Sequence, residues 1–177
     1  DLPRHYRDPR TEGMMERAFQ RVSREEIYRR TGIQFMPLNT IYQLLAEVES
    51  GDNLLNRTER LLFMPDYFRY RLTGETSSEE TIASTSQVYD SAAGQWASDI
   101  MESLGIPVQI MPEVKRPGTV VGPLLDSVSA NASMRQAVPV IATAGHDTDG
   151  RAAVRGEAFD LTARELHDGD VAFVGRR

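Results

Sequence analysis

The chain has 177 residues, of which 40% are hydrophobic and 26% are charged, a composition typical of a soluble globular protein with one ordinary core. Its formal net charge is −6 with both signs intermingled, which argues against nucleic acid as a partner. There is no cysteine to form disulfides or thiolate sites, and no secretory signal or apolar run near the ~20 residues of a bilayer span, so we expect a cytoplasmic protein.

Two helices in tandem are predicted near the start of the chain. Thr11 precedes a helical pattern over residues 12–22. Ser23 and Glu26 then have the S-x-x-E spacing of a capping box, which opens a short helix that ends at Gly32.

Three further helices follow, each with an apolar face. Asn39 caps the first of them, which ends at Gly51. The second covers residues 65–73 and ends at Gly74, and its aromatic density predicts burial. The third is amphipathic and ends at Gly105. In chain order, the three faces contain Ile41, Leu44, Leu45 and Val48; Tyr67, Phe68, Tyr70 and Leu72; and Trp96, Ile100, Met101 and Leu104.

Short strands are predicted in the last third of the chain. Prolines and glycines punctuate β-branched pieces over residues 108–125. Residues 138–143 form the clearest strand, a near-continuous apolar run of the kind that is covered on both faces of a parallel or mixed sheet. Residues 169–175 are a further candidate strand. The first two thirds of the chain are thus helix-rich, and short strands follow.

The carboxyl end of the 138–143 strand carries the polar sequence Gly145, His146, Asp147, Thr148. Ligands of open α/β sheets bind at such strand ends, where Gly145 would allow a sharp turn. An ionised Asp147 beside a bound hydroxyl could accept its proton. Asp147 could equally be a helix N-cap, with His146 as a surface turn residue.

Other polar candidates are weaker on their own. The segment 6–10 combines Tyr6 with charges of both signs, which suits a polyol but is also common in solvated turns. Gln34 and Asn39 could present amides to sugar hydroxyls, or could cap a loop and a helix. The three histidines show no metal-site spacing, so no metal site is predicted. No phosphate loop of the Walker A type is present, so no nucleotide site of that type is predicted.

Six segments, taken in order, resemble the rhamnulokinase subfamily of the FGGY carbohydrate kinases. They are YRDPRT (6–11), TGIQFMPLNTIYQLLA (31–46), LLFMPDYFRYRLTGE (61–75), TIASTSQVYD (81–90), PGTVVG (117–122) and PVIATAGHDT (139–148). The resemblance covers about residues 1–150. It therefore predicts a partial FGGY N-terminal, sugar-binding domain over 1–150 and a divergent tail of uncertain structure over 151–177.

The resemblance implies an actin-like, ribonuclease-H-like α/β fold and a kinase that moves the γ-phosphoryl group of MgATP to the 1-hydroxyl of L-rhamnulose. Asp147 matches the catalytic base of the family, and His146 and Thr148 match sugar contacts. Gln34 lies in a motif that lines the sugar pocket. Tyr6 matches an aromatic position against the substrate.

Departures from the family pattern keep other functions open. Asn39 and Tyr42 replace the lysine and tryptophan of the broader family signature, which favours the rhamnulokinase subfamily. The family's ATP-binding segments are not found, so ATP and Mg²⁺ would be bound mainly by parts absent from this chain. We therefore expect a piece of a longer protein that is catalytically inert alone. The alternatives are a noncatalytic sugar-binding module, an inactive gene remnant, or a kinase for another deoxy-ketose such as L-fuculose.

Overall fold

The computed structural model describes residue 5 and residues 7–131, 138–146 and 171–175. The helices are α1 (Met14–Arg21), α2 (Arg24–Thr31), α3 (Thr40–Ser50), α4 (Leu54–Arg57), α5 (Met64–Thr73), α6 (Glu80–Ser84), α7 (Ser98–Ser103) and α8 (Asp126–Asn131). The strands are β1 (Thr58–Phe63), β2 (Ser78–Glu79), β3 (Tyr89–Asp90), β4 (Gln95–Trp96), β5 (Val114–Lys115), β6 (Val120–Pro123), β7 (Pro139–Ile141) and β8 (Val171–Gly175). Within these residues β2 pairs with β5 in parallel, and β1–β8, β3–β4 and β6–β7 are antiparallel pairs.

The capping residues place the helix boundaries close to where the sequence predicts them. Ser23 Oγ accepts a hydrogen bond from Glu26 N at 3.2 Å and opens α2, while the Glu26 carboxylate accepts from Arg29. Gly51 and Gly74, which follow α3 and α5, have φ of 75° and 78°. Glycine adopts this left-handed conformation without steric cost, so both helices end there.

Helix α3 is the centre of the hydrophobic core. Ile41, Leu44 and Leu45 are fully buried, as the predicted apolar face requires. Side chains of α1, α2, β1, α6 and α7 pack around them. Burying one such side chain contributes about 1.5–3 kcal/mol, so this helix is the main anchor of the described fold.

The prediction that the aromatic face of α5 is buried is wrong. Phe68 and Leu72 are 46% and 38% exposed, whereas Asp66, Arg69 and Thr73 are buried. These three polar residues have the i, i+3, i+7 spacing of one helix face. That face can be buried because its charged groups pair with each other and with the loop that follows the helix.

The predicted strand over 138–143 is present as β7, but its surroundings differ from the prediction. It pairs antiparallel with β6, and Ile141 is 46% exposed. Coverage of both faces is therefore not found in the described part of the chain. The candidate strand over 169–175 is confirmed as β8, which pairs with β1.

Trp96 belongs to a strand rather than to the predicted amphipathic helix. It pairs with Tyr89 across β3 and β4, and its indole N–H donates to the Pro112 carbonyl at 2.8 Å. Helix α7 begins two residues later, at Ser98.

None of the described helices combines the length and apolarity that a membrane span needs.

Candidate functional site

A cavity of about 290 Å³ lies between the segment before α3 and the turn after β7. Its wall includes Gln34, Met36, Leu38, Asn39, Thr85 and His146. Apolar side chains thus share the wall with two amides, a hydroxyl and an imidazole. This mixture suits a small polar ligand that is held by a few directed hydrogen bonds.

Two of the predicted site residues meet in this cavity although they are far apart in sequence. Gln34 comes from the segment before α3, and His146 from the turn after β7. The other predicted site residues, Tyr6, Asp147 and Thr148, lie outside the described residues. Asp147 is the next residue after His146 in the sequence, and its role as the base stays a prediction.

The wall formed by residues 33–38 has no helix or strand, and side-chain amides donate to three of its carbonyl groups. The three bonds run from Asn39 Nδ2 to Gln34 O at 2.9 Å, from Gln43 Nε2 to Leu38 O at 3.1 Å, and from Gln87 Nε2 to Ile33 O at 3.0 Å. Asn39 therefore occupies the cap position of α3, as predicted, but its amide N–H binds the loop and not the helix. These bonds hold the wall in a fixed shape.

Alternating side chains of this wall point to opposite sides. Gln34 and Met36 line the cavity, while Phe35 contacts Phe19 of α1 edge to face with ring centroids 5.2 Å apart. The Arg24 guanidinium lies 5.0 Å from the Phe35 ring centre. Phe35 thus anchors the wall on the helical side.

Gln87 holds its carbonyl partner from a strained backbone. It is a fully buried residue whose φ is 64°, a conformation that few non-glycine residues adopt. Strain of this kind costs about 1–3 kcal/mol and persists where the surrounding structure enforces it. Here the Gln87 amide reaches Ile33 O, at the start of the cavity wall.

The turn that carries His146 is bound to the N-terminal end of α6. Gly145 N donates to Glu79 Oε2 at 2.8 Å, and His146 N donates to Thr81 Oγ1 at 3.2 Å. The φ of Gly145 is outside the left-handed region, contrary to the idea of a glycine-dependent sharp turn. A Cβ at this position would lie 3.3 Å from Pro65 Cβ, so close packing explains the glycine.

A buried polar network continues from Glu79 to α5. Asp66 accepts hydrogen bonds from Arg69, from Ser78 Oγ at 2.7 Å and from Glu79 N at 3.1 Å. Burial raises the pKa of Asp66 to about 6, and the nearby Arg69 guanidinium opposes that rise. Arg69 also donates to Ser77 O at 2.9 Å. The buried face of α5 thereby supports the segment that holds the His146 turn.

The segment around residues 7–10 borders a second cavity, of about 340 Å³, which shares Leu38 with the first. Asp8 accepts from Arg10 N at 2.9 Å and begins a 3-10 turn over Pro9–Thr11. Arg10 donates to the carboxylate of Glu47 on α3. Arg10 therefore fastens this segment to the core, beside the cavity that contains Gln34.

The ligand set that a metal ion requires is absent from the described residues. Among them, no group of three or more histidine or acidic side chains could hold a metal ion. We therefore assign no metal or nucleotide contact to this part of the chain.

Sequence analysis missed Glu79, Thr81, Thr85 and Gln87, the residues that support or line the cavity from one segment. They lie in or next to the TIASTSQVYD motif, to which no role was assigned. The available signal was the density of small polar residues in a stretch that also contains buried-type Ile82 and Ala83. Such residues in the interior must find hydrogen-bond partners.

Comparison with known proteins identifies relatives. The model of the FGGY family of carbohydrate kinases, N-terminal domain, matches residues 5–154. The rhamnulokinase of Yersinia pestis bv. Antiqua (strain Angola) is 42% identical over 173 residues, which is 98% of this chain and 34% of that protein. The rhamnulokinase of Pectobacterium atrosepticum is 41% identical over 147 residues, which is 83% of this chain and 28% of that protein. The chain thus spans about a third or less of the length of these curated relatives.

Solved structures share the fold at lower sequence identity. The ligand-bound xylulose kinase from Lactobacillus acidophilus superimposes with a TM-score of 0.71 at 21% identity, covering 78% of this chain and 28% of that one. A carbohydrate kinase from Novosphingobium aromaticivorans gives a TM-score of 0.59 at 24% identity, covering 75% and 28%. The predicted α/β fold of a sugar kinase N-terminal domain is thereby confirmed.

Proposed function

Because the chain belongs to the FGGY family of carbohydrate kinases, we propose that it forms the sugar side of an ATP-dependent kinase that phosphorylates the 1-hydroxyl of L-rhamnulose. The observation that carries the proposal is the meeting of Gln34 and His146 in one cavity of about 290 Å³. The rhamnulokinase relatives at 36–42% identity support the choice of sugar.

The proposed chemistry assigns one task to each residue. Gln34 and His146 donate or accept directed hydrogen bonds that orient the ketose. Asp147 accepts the proton of the sugar hydroxyl as that oxygen attacks phosphorus, and Thr148 and Tyr6 contact the sugar. A base positioned in this way contributes about 10²–10⁴-fold to the rate. ATP with Mg²⁺ supplies the phosphoryl group, and such a kinase would act in the cytoplasm, where ATP is available.

Sugar binding is tested on the 177-residue chain itself. We expect L-rhamnulose to shift the NMR signals of Gln34 and His146 saturably, and L-fuculose and D-xylulose to bind more weakly. Because each lost hydrogen bond costs about 0.5–1.5 kcal/mol, His146→Ala and Gln34→Ala should each weaken binding about 2- to 13-fold. Gln20→Ala, an exposed change on α1, is the matched control for Gln34→Ala. Equal binding of all three ketoses would argue against the proposed substrate.

The proposed base is tested separately. We expect the purified 177-residue chain not to phosphorylate L-rhamnulose. In a complete kinase that contains this chain, Asp147→Asn should abolish transfer while sugar binding persists. Full activity of that variant would refute the assignment of Asp147 as the base. If the 177-residue chain alone phosphorylated L-rhamnulose, and Asp147→Asn abolished that activity, the prediction that the chain is inert would be wrong.

A further inference from the structure

Glu79 is a fully buried acidic residue whose carboxylate accepts hydrogen bonds both from its own helix and from a distant segment. Oε1 accepts from Thr81 N at 2.9 Å, and Oε2 accepts from Ile82 N at 3.4 Å, so the carboxylate caps α6. Oε2 also accepts from Gly145 N at 2.8 Å, across 66 positions of sequence. A helix cap needs only the local donors, so the bond to Gly145 calls for a separate explanation.

Thr81 makes the same long-range connection. Its hydroxyl donates to the Glu79 carboxylate and accepts from Gly145 N at 3.1 Å and from His146 N at 3.2 Å. Two side chains at the start of α6 therefore bind two consecutive amides of the turn after β7. Fixing both N–H groups restricts the backbone rotations that aim the His146 side chain.

We infer that Glu79 and Thr81 are positioning residues, which set the orientation of His146 relative to the sugar. This inference rests on the proposed function of the cavity. The support is rigid because the next residues of α6, Ile82 and Ala83, are fully buried in the core. A site fixed in this way loses less entropy when the sugar binds.

Isosteric substitutions separate this role from general stability. Glu79→Gln replaces one accepting oxygen by an amide N–H₂ group, which then faces donors. Thr81→Val removes the hydroxyl and leaves the Thr81 backbone N–H cap in place, whereas Thr81→Ser keeps the hydroxyl. Glu80→Gln is the matched control, since Glu80 is the neighbouring carboxylate and its oxygens contact Tyr89 and Arg116 instead.

The experiment measures amide hydrogen exchange and L-rhamnulose affinity on the ¹⁵N-labelled 177-residue chain. Glu79→Gln and Thr81→Val should speed exchange at Gly145 and His146 by tenfold or more, with α3 amides unchanged. Thr81→Ser and Glu80→Gln should leave both amides within about twofold of wild type. Thr81→Val should also weaken sugar affinity several-fold at an unchanged melting temperature, and Thr81→Ser should restore that affinity.

Each outcome decides between the two proposals. Unchanged exchange at Gly145 and His146 in Thr81→Val would overturn the inference whatever the sugar does. Faster exchange with undiminished affinity would overturn the positioning role, since the turn would be loosened without effect. Faster exchange in a chain that never saturates with L-rhamnulose would support the anchoring of the turn and refute the proposed function.

Discussion

Asp66 should make the stability of this protein decrease as the pH rises from about 4 to about 6. Its carboxyl group is 1% exposed, and burial raises its pKa from the ordinary value of 3.8 to about 6. The Arg69 guanidinium, Ser78 Oγ and Glu79 N lower the pKa by donating to the ionised form, but less than burial raises it. Asp66→Asn removes the titration while preserving the shape of the side chain.

The sign and size follow from proton linkage. Between pH 3.8 and about 6 the folded chain holds the Asp66 proton and the unfolded chain has released it. The free energy of unfolding therefore falls as the pH rises through this window, and the contribution is constant above it. A pKa raised from 3.8 to about 6 corresponds to a change of about 3 kcal/mol in the free energy of unfolding.

The free energies of unfolding of wild type and Asp66→Asn are measured in urea at pH 4, 5, 6 and 7. The fluorescence of the single tryptophan, Trp96, reports the unfolding. Wild type should lose about 2.5 kcal/mol relative to Asp66→Asn over that range, because part of the change lies below pH 4. Asp52→Asn, a change at an exposed aspartate, should track wild type. If wild type instead became more stable relative to Asp66→Asn as the pH rises, the reasoning would be refuted, because the ion pair with Arg69 would then outweigh the effect of burial.

Five further substitutions test the packing by urea unfolding. Arg30→Ala, which breaks contacts to β3 and α7, should cost about 1–2 kcal/mol, whereas Arg29→Ala on the exposed face of α2 should cost under about 0.5 kcal/mol. Leu45→Ala in the core should cost about 2–5 kcal/mol, and Leu72→Ala well under half of that; equal costs would contradict the burial described for α3 and α5. Gly74→Ala should cost about 1 kcal/mol of stability because Gly74 has a positive φ. The new Cβ itself fits, since its nearest contact is at an ordinary 3.7 Å. A neutral effect would contradict the left-handed conformation that ends α5.

Helices could be predicted from the sequence because their signals are local. The cap at Ser23, the glycines that end α2, α3 and α5, and the spacing of Leu44 and Leu45 all lie within the element that they specify. Strand β1 gave no such signal. Its partner β8 lies more than a hundred residues further along the chain, and strand formation depends on that partner.

The face of α5 was misjudged for a related reason. Hydrophobicity alone favours burial of Phe68 and Leu72, but Asp66 and Arg69 occupy the interior because the following loop supplies their hydrogen bonds. Sequence patterns do not reveal which polar groups will find partners in the folded chain.

The sequence singled out two residues of the candidate cavity but none of the residues that support it, and the roles of the site residues stay predictions. Gln34 and His146, which belong to two separate motifs of the sequence, line one cavity. Glu79, Thr81 and Gln87 act on backbone groups of distant segments, and such contacts are invisible until the chain is folded.

The left-handed backbone of Gln87 places a limit on engineering of this protein. A designer who seeks thermostability would choose position 87 early, because glycine there would relieve the strain at once. The same substitution would remove the side-chain amide that donates to Ile33 O, so a more heat-resistant variant would have a less firmly held cavity wall.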